Sequence, residues 1–116
     1  MHNIERLTTN KLIGYKDSIK MMEQRIQEIH QTRQNELIWF LNHNHIYTQG
    51  TSASNKEIIK NTNTPILKTN RGGKTTYHGP GQRIVYFLLD LNKRKKDVRK
   101  FITTIENSLI KFLNIY

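Results

Sequence analysis

The chain has 116 residues, of which 35% are hydrophobic and 24% charged, and its formal net charge is +10. This length predicts a single domain over residues 1–116, and the composition is typical of a folded protein and argues against a disordered one. It contains no cysteine, which excludes a disulfide, a thiolate metal site and a cysteine nucleophile among these residues.

The first half of the chain predicts a helix followed by two strands. Apolar residues recur at steps of four and three from Tyr15, which predicts an amphipathic helix over residues 15 to about 34. Its expected core face consists of Tyr15, Ile19, Met22, Ile26 and Ile29. The apolar run 36–41 predicts a strand covered on both faces, and 46–48 predicts a second strand. The polar residues 49–55 are expected to form a surface loop.

The middle of the chain predicts short elements separated by loops. Asn55 or Ser54 is expected to cap a short helix through residues 56–60, and residues 61–64 are expected to form a loop. Pro65 is expected to open a brief strand over residues 66–69.

The last third of the chain predicts a strand and a helix. Residues 84–89 combine β-branched and aromatic side chains without a breaker, which is the strongest strand pattern in the sequence. Asp97 is expected to cap a final helix whose core face is Val98, Phe101, Ile105, Leu109 and Phe112. Helix, strands and helix in one chain indicate an α+β fold. The last helix runs to residue 116 without a glycine or proline stop, so we expect the architecture to be incomplete.

A glycine-rich stretch between two predicted strands carries the most chemical information. It reads Arg71-Gly72-Gly73-Lys74-Thr75-Thr76-Tyr77-His78-Gly79-Pro80-Gly81-Gln82. Its glycines allow close approach of the backbone to a ligand, Arg71 supplies a forked cationic donor, and His78 supplies an imidazole. The pattern does not fit a Walker loop, because Lys68 stands where that loop needs a glycine. From the residues alone, a β-hairpin turn without a ligand stays open.

This stretch resembles the signature of the lipoyl/octanoyl transferases. The resemblance extends from Arg71 through the aromatic strand at Tyr86 to Asp90 and Leu91. Upstream, residues 41–50 resemble the strand and turn of that family that end in Tyr-Thr-x-Gly. Two departures lie here: Asn42 stands where the family usually has an acid, and Asn44-His45 replaces a proline-rich pair.

The resemblance implies a fold and a reaction. The fold is a mixed β-sheet flanked by helices, similar to the biotin and lipoate protein ligases. The reaction moves an octanoyl group from acyl carrier protein to a lysine of lipoate-dependent enzyme subunits through a cysteine thioester. The cysteine and its assisting lysine belong to the C-terminal half of such a domain. We therefore expect this chain to be the N-terminal portion of a truncated catalytic domain, with no catalytic residue of its own and no activity alone.

The resemblance also implies a substrate-binding site and two partners. The residues that match the substrate-binding stretch, and that we expect to line the acyl pocket, are Arg71, Gly72, Gly73, Lys74, Thr75, Thr76, Tyr77 and His78. The implied partners are octanoyl-acyl carrier protein and the lipoyl domains of lipoate-dependent enzymes. No cofactor is implied.

Two other functions stay open. A lipoate or biotin protein ligase of the same fold would activate its acid with ATP, although the run 78–82 favours the transferase. A small basic domain could bind nucleic acid, but Trp39 and Tyr86 lie in apolar surroundings typical of a core, which removes the platform for base stacking. We expect instead that a basic cluster docks an acidic carrier protein or lipoyl domain; it consists of Lys93, Arg94, Lys95, Lys96, Arg99 and Lys100.

We expect neither a metal nor a membrane partner. His43 and His45 could bind a metal from one face of a strand, but no third ligand stands at a useful spacing. No apolar run approaches the roughly 18–20 residues of a membrane span, and the N-terminus lacks a signal-peptide pattern. These features predict a cytoplasmic protein.

Overall fold

The structure, a computed structural model, describes residues 3–58, 63–94 and 97–115. Its elements in chain order are β1 (Ile4–Ile13), α1 (Tyr15–His30), β2 (Glu36–His43), β3 (Ile46–Gln49), β4 (Ile66–Lys68), β5 (Thr75–His78), β6 (Ile84–Leu88) and α2 (Val98–Ile115). Short 3₁₀ turns lie at Asn55–Glu57 and Leu91–Arg94. Neither helix of the described residues is both long and apolar enough to cross a bilayer.

The strands form two sheets, each with three strands. In sheet A the order is β1-β2-β6, and β2 pairs parallel with β1 and antiparallel with β6. In sheet B the order is β4-β3-β5, and β3 pairs parallel with β4 and antiparallel with β5. Mixed sheets flanked by two helices confirm the α+β class expected from the sequence.

The core lies between α1 and one face of sheet A. Alternate residues of β2 point to the same face, so Leu37, Trp39 and Leu41 are buried together against Met22 and Ile29 of α1. The indole N–H of Trp39 donates a hydrogen bond of 2.9 Å to the Thr9 hydroxyl, so the largest core side chain leaves no unpaired polar atom.

Helix α1 differs from its prediction in length and in one core residue. It begins at Tyr15 as expected but ends at His30, and Thr32 in the following turn has a φ of 58°. Ile26 was expected in the core, yet 53% of it is exposed. The prediction was wrong because Ile26 borders an open pocket at β6, the edge strand of sheet A, where the described part of the chain provides no further strand to cover it.

Strand β1 was not predicted. Its ten residues are mostly exposed and mostly polar, so they show no sustained alternation of apolar and polar side chains. The strand exists because its backbone pairs with β2, with a shift of register between Thr8 and Leu12. Pairing of this kind depends on a distant partner and leaves little trace in the local sequence.

The start of α2 follows the prediction, but its core face does not. The Asp97 carboxylate accepts the Lys100 backbone N–H at 2.9 Å, which confirms the expected cap. Phe101 packs edge-on against Phe87, with ring centroids 5.8 Å apart. A groove of about 540 Å³ separates the rest of α2 from the outer face of sheet A. The helix therefore reaches the sheet mainly near Phe101 and Ile105, and the other expected core residues are exposed, namely Val98, Leu109 and Phe112.

The loop after β3 is partly as predicted. Ser54 caps the 3₁₀ turn at Asn55–Glu57, and the Glu57 carboxylate accepts the Ser54 backbone N–H in return. Gln49 and Gly50 were expected in a surface loop, but both are buried because they pack under the glycine-rich stretch. Residues 59 and 60 of the expected helix and residues 61 and 62 of the expected loop lie outside the described residues.

A buried ion pair joins the start of β2 to the turn before α2. Glu36 is only 2% exposed, and its carboxylate accepts two hydrogen bonds from the Arg94 guanidinium, at 2.6 and 2.8 Å. The Asp90 backbone N–H donates to the same carboxylate. The bonds from Arg94 hold the pKa of Glu36 below its usual value. Arg94 is therefore not a free cation of the basic cluster, and Lys95 and Lys96 lie outside the described residues.

Replacing Arg94 by methionine should lower the free energy of unfolding by about 2–3 kcal/mol, because a buried carboxylate loses its counterion. This loss of stability is smaller than that for a fully buried ion pair, because Arg94 is partly exposed. The pKa of Glu36 is lowered from 4.5, so this contribution is present above that pH and is lost as the pH falls below it. Urea unfolding at two pH values measures both effects. Arg99→Met, on the exposed start of α2, is the matched control; equal stability of the two variants would contradict the prediction.

Candidate functional site

The glycine-rich stretch contains a strand that the sequence did not reveal. Residues 75–78 form β5, which pairs with β3 so that Tyr77 lies opposite Tyr47 and Thr76 opposite Thr48. Strands β4 and β5 lie on opposite sides of β3, so the segment between them crosses the sheet. The interpretation as a simple β-hairpin turn is therefore wrong.

The Arg71 guanidinium holds the loop 71–74 against β3. One terminal nitrogen donates to the Thr48 backbone oxygen at 2.8 Å, to the Thr48 hydroxyl at 2.8 Å and to the Lys74 backbone oxygen at 3.1 Å. The other donates to the Gly72 backbone oxygen at 2.9 Å. Thr48 is fully buried, so the anchor point is rigid. Arg71 thus uses most of its donors within the chain, and its main effect on the site is to shape the loop.

Gly50 lets this loop come into direct contact with the end of β3. Its N–H donates to the Lys74 backbone oxygen at 3.2 Å, and the next two N–H groups, of Thr51 and Ser52, donate to backbone oxygens of the same loop. A Cβ atom on Gly50 would overlap the backbone oxygens of Gly72 and Gly73. Only a residue without a side chain permits this approach.

Two residues of β5, Thr75 and Tyr77, bond to neighbouring segments. The Thr75 N–H and hydroxyl donate to the Glu57 carboxylate at 3.1 and 2.7 Å, and the hydroxyl bond is the main reason that the pKa of Glu57 is lowered. The Tyr77 hydroxyl bonds to His45 Nδ1, and its ring lies 5.5 Å from that of Tyr47. The two contacts of Tyr77, with His45 and with Tyr47, stabilise sheet B.

Four rings meet at the junction of α1, β2, β5 and β6. His43 is fully buried, with Nδ1 2.7 Å from the Ile13 backbone oxygen and Nε2 2.8 Å from the Tyr86 hydroxyl. A carbonyl oxygen only accepts, so Nδ1 carries the proton and Nε2 accepts from Tyr86. Burial raises the pKa of Tyr86 to about 12, which keeps its hydroxyl protonated as the donor. The ring of Tyr15 lies 5.3 Å from His43 and 5.7 Å from His78, nearly parallel to the latter.

His78 carries the one unsatisfied polar atom found among the buried side chains of the described residues. Its Nδ1 is buried without a hydrogen-bond partner. Burial lowers the pKa of His78, and the electrostatic effects of the neighbouring His43 and Arg71 lower it further. The imidazole is therefore neutral near pH 7, and one of its ring nitrogens has no hydrogen-bond partner among the described residues.

A mainly apolar groove lies on the other side of Tyr15. Its volume is about 450 Å³, within the usual range of small-molecule sites. It runs between α1, β4 and the start of the glycine-rich stretch, and it is lined by Tyr15, Lys16, Ile19, Lys20, Leu67, Lys68, Thr69, Asn70 and Arg71. Because Tyr15 both lines the groove and stacks on His78, the groove and the ring cluster are adjacent.

The model of the lipoyl protein ligase A/B catalytic domain matches residues 14–116 of the chain. The chain belongs to this family. The resemblance drawn from residues 41–50 and 71–91 is thereby confirmed, and with it the expected fold.

Similar proteins are named octanoyltransferase. That of Wolbachia sp. subsp. Brugia malayi (strain TRS) is 43% identical over 97% of this chain and 57% of its own length. The octanoyltransferase of Wolbachia pipientis wMel is 46% identical over 94% of this chain and 53% of its own length. The octanoyltransferase of Bartonella henselae is 40% identical over 95% of this chain and 45% of its own length. The chain spans about half the length of the curated relatives it matches.

Within this lipoyl protein ligase A/B domain, the expected substrate-binding residues fall into three groups. Arg71 alone lines the groove, and His78 lies beside it in the ring cluster. Gly72 and Gly73 shape the loop against Gly50. The remaining four, which do not line the groove, are Lys74, Thr75, Thr76 and Tyr77.

Of the nine described residues that line the groove, only Arg71 was predicted as a site residue, and the three apolar side chains were assigned elsewhere. Tyr15 and Ile19 were assigned to the core face of the helix, and Leu67 to a brief strand. The periodicity of α1 correctly predicted a face that points inward. It could not show that one end of this face borders an open groove.

His43 and His45, the two histidines considered as metal ligands, form hydrogen bonds to separate partners. Both ring nitrogens of His43 are engaged, and His45 bonds to Tyr77. Among the described residues no group of three or more His, Asp or Glu side chains could hold a metal ion.

Proposed function

We propose that this chain is the acyl-binding portion of an octanoyltransferase and that the octanoyl chain lies in the groove beside Arg71. The observation that carries the proposal is an apolar groove of about 450 Å³ against the Arg-Gly-Gly loop, in a chain 40–46% identical to proteins named octanoyltransferase. Of the expected substrate-binding residues, Arg71, Gly72 and Gly73 then shape the groove and His78 flanks it.

The groove matches a medium-length acyl chain in chemistry. Tyr15, Ile19 and Leu67 provide apolar walls. Burial of a methylene group contributes about 0.8 kcal/mol, so about seven buried carbons contribute roughly 6 kcal/mol before the entropy of association is subtracted. This is enough to favour an octanoyl group over a much shorter one.

The reaction proceeds through two acyl transfers. A cysteine thiolate attacks the thioester carbonyl of octanoyl-acyl carrier protein, and the carrier leaves as its thiol. A lysine amine of a lipoyl domain then attacks the enzyme thioester, an amide forms, and the cysteine is released. These 116 residues contain no cysteine, so the nucleophile would lie in another segment of the polypeptide. We propose a cytoplasmic site of action, with octanoyl-acyl carrier protein and lipoyl domains as partners.

A lipoate ligase that uses ATP is the second candidate, because the matching family model covers both ligase types A and B. The names of the relatives favour the transferase. Dependence on ATP separates the two functions directly.

The test uses a chimera of residues 1–116 with the remaining part of the octanoyltransferase of Wolbachia sp. subsp. Brugia malayi. We expect the chimera to transfer the octanoyl group from octanoyl-acyl carrier protein to a lipoyl domain without ATP. The transfer is measured as an increase in the mass of the lipoyl domain. The 116-residue chain alone is expected to transfer nothing, because it has no cysteine. Transfer by the chain alone, or transfer that requires ATP, would contradict the proposal.

Two variants of adjacent residues test the groove itself in the chimera. Leu67→Asp places a carboxylate in the apolar wall and should reduce kcat/KM by more than about tenfold, mainly through KM. Ile66→Asp, on an exposed position of the same strand, should change it by less than about twofold. Similar kinetics of the two variants would place the acyl chain elsewhere.

A further inference from the structure

We propose that the groove prefers acyl ligands that carry an anion beyond their apolar chain, and that Lys16, Lys20 and Lys68 bind this anion. These three lysines are called the lysine rim below. The inference rests on the proposed function, since it takes the groove as the acyl site, and it adds a requirement for charge that the resemblance to the family does not contain.

The lysine rim brings together two separate segments of the chain. Lys16 and Lys20 lie one turn apart on the first half of α1, and Lys68 is the last residue of β4. All three line the groove and all three are exposed. Because the groove is mainly apolar, lysines that line it and stay exposed contact it through their methylene stems and keep their ammonium groups in water.

The charge of the lysine rim is not neutralised by the protein. In the described part of the chain, no hydrogen bond or ion pair of the structure engages the side chain of any of the three lysines. The described residues that line the groove include no aspartate or glutamate. Asp17, the acid nearest in sequence, lies against Gly14 and is not part of the groove wall.

The fourth cation of the groove differs from the other three. Arg71 donates to Thr48, to Gly72 and to Lys74, so its guanidinium is held by the loop that it shapes. The sequence suggested Arg71 as the cationic clamp for a ligand. We assign that role to the lysine rim, because a lysine side chain has a flexible stem that can follow an anion and these three have no partner among the described residues.

An apolar groove beside several unpaired cations selects for amphiphiles. An exposed ion pair is weak, but three lysines acting on one anion are expected to raise affinity by about tenfold over an uncharged ligand with the same chain. Two sources have this chemistry. One is the carboxylate of a free medium-chain fatty acid, and the other is the phosphate on the arm of a carrier-bound thioester.

The test measures binding of three probes to the 116-residue chain by calorimetry. The probes are octanoate, octanoyl-4′-phosphopantetheine and uncharged octanamide. The rim variant carries Lys16→Gln, Lys20→Gln and Lys68→Gln. The control variant carries Lys11→Gln, Lys56→Gln and Lys111→Gln, three exposed positions away from the groove, and therefore has the same net charge. Circular dichroism verifies that both variants are folded.

We expect the rim variant to bind the two anionic probes about tenfold more weakly than the original chain does. Its affinity for octanamide should equal that of the original chain. The control variant should change every affinity by less than about twofold. Added salt should weaken anion binding by the original chain and hardly affect the rim variant. Tighter binding of octanoyl-4′-phosphopantetheine than of octanoate would identify the carrier arm as the source of the anion, and the reverse order would identify the free acid.

Four results would overturn the inference. Equal losses in the rim and control variants would show an effect of net charge alone. Unchanged anion binding by the rim variant would show that these lysines bind nothing, and a loss of octanamide binding would show that they only form the groove wall. If the original chain bound none of the probes, the acyl groove and the proposed function would fail together, whereas the other results leave the proposed function intact.

Discussion

Gly50→Ala is expected to lower the free energy of unfolding by about 3 kcal/mol and to weaken octanoyl binding by more than about tenfold. A Cβ at this position would overlap the backbone oxygens of Gly72 and Gly73. Backbone cannot rotate aside as a flexible side chain can, so the loop 71–74 must move away from β3. That movement would break the bonds from Gly50, Thr51 and Ser52 to the loop and displace Arg71, which forms one wall of the groove.

Gly72→Ala is the matched control, because it adds the same methyl group in the same motif. Its Cβ would meet no atom within 4 Å, and its φ lies outside the left-handed region. We expect a change of less than about 0.5 kcal/mol. Urea unfolding and binding of octanamide measure both variants, and equal effects at Gly50 and Gly72 would mean that the close contact of loop and strand does not exist.

His43→Leu should be the second most damaging change, with a loss of about 2–4 kcal/mol in the free energy of unfolding. Leucine fills most of the space but leaves the Ile13 backbone oxygen and the Tyr86 hydroxyl without partners. The ring of Tyr15 also loses one of its two imidazole neighbours, so the wall of the groove loosens and octanoyl binding weakens.

A double-mutant cycle with Tyr86→Phe makes this prediction specific. If His43 Nε2 accepts from the Tyr86 hydroxyl, the double variant is less destabilised than the sum of the single variants. His45→Leu, in which an exposed histidine loses its bond to Tyr77, should cost less than about 1 kcal/mol. Additive effects of the His43 and Tyr86 changes would argue against the assigned hydrogen bond.

Elements with a strong local signal were predicted well. The start of α1 at Tyr15, strand β2 and strand β6 follow from periodicity and apolar runs, and the Asp97 cap follows from the need of the first helical N–H groups for an acceptor. Strands β1 and β5 were missed. Both are polar and partly exposed, and both exist because a distant strand offers its backbone for pairing.

The candidate site shows the same division. The glycine motif located the loop correctly, since glycines mark positions where chains come close. It did not reveal which side chains line the groove. Arg71 bonds to its own loop, Thr75 bonds to Glu57, and the groove is formed in large part by Tyr15 and Leu67, which looked like core residues.

The sequence by itself determined the class of the fold and the family to which the chain belongs, and it indicated the segment of the candidate site, because these depend on residue types and on spacing along the chain. Only the tertiary structure decided that Arg94 neutralises Glu36, that His43 is locked between Ile13 and Tyr86, and that the available cations of the groove are lysines. Each of these depends on which distant side chain lies within about 3 Å of a polar group. That distance is set by packing, and no local pattern encodes it.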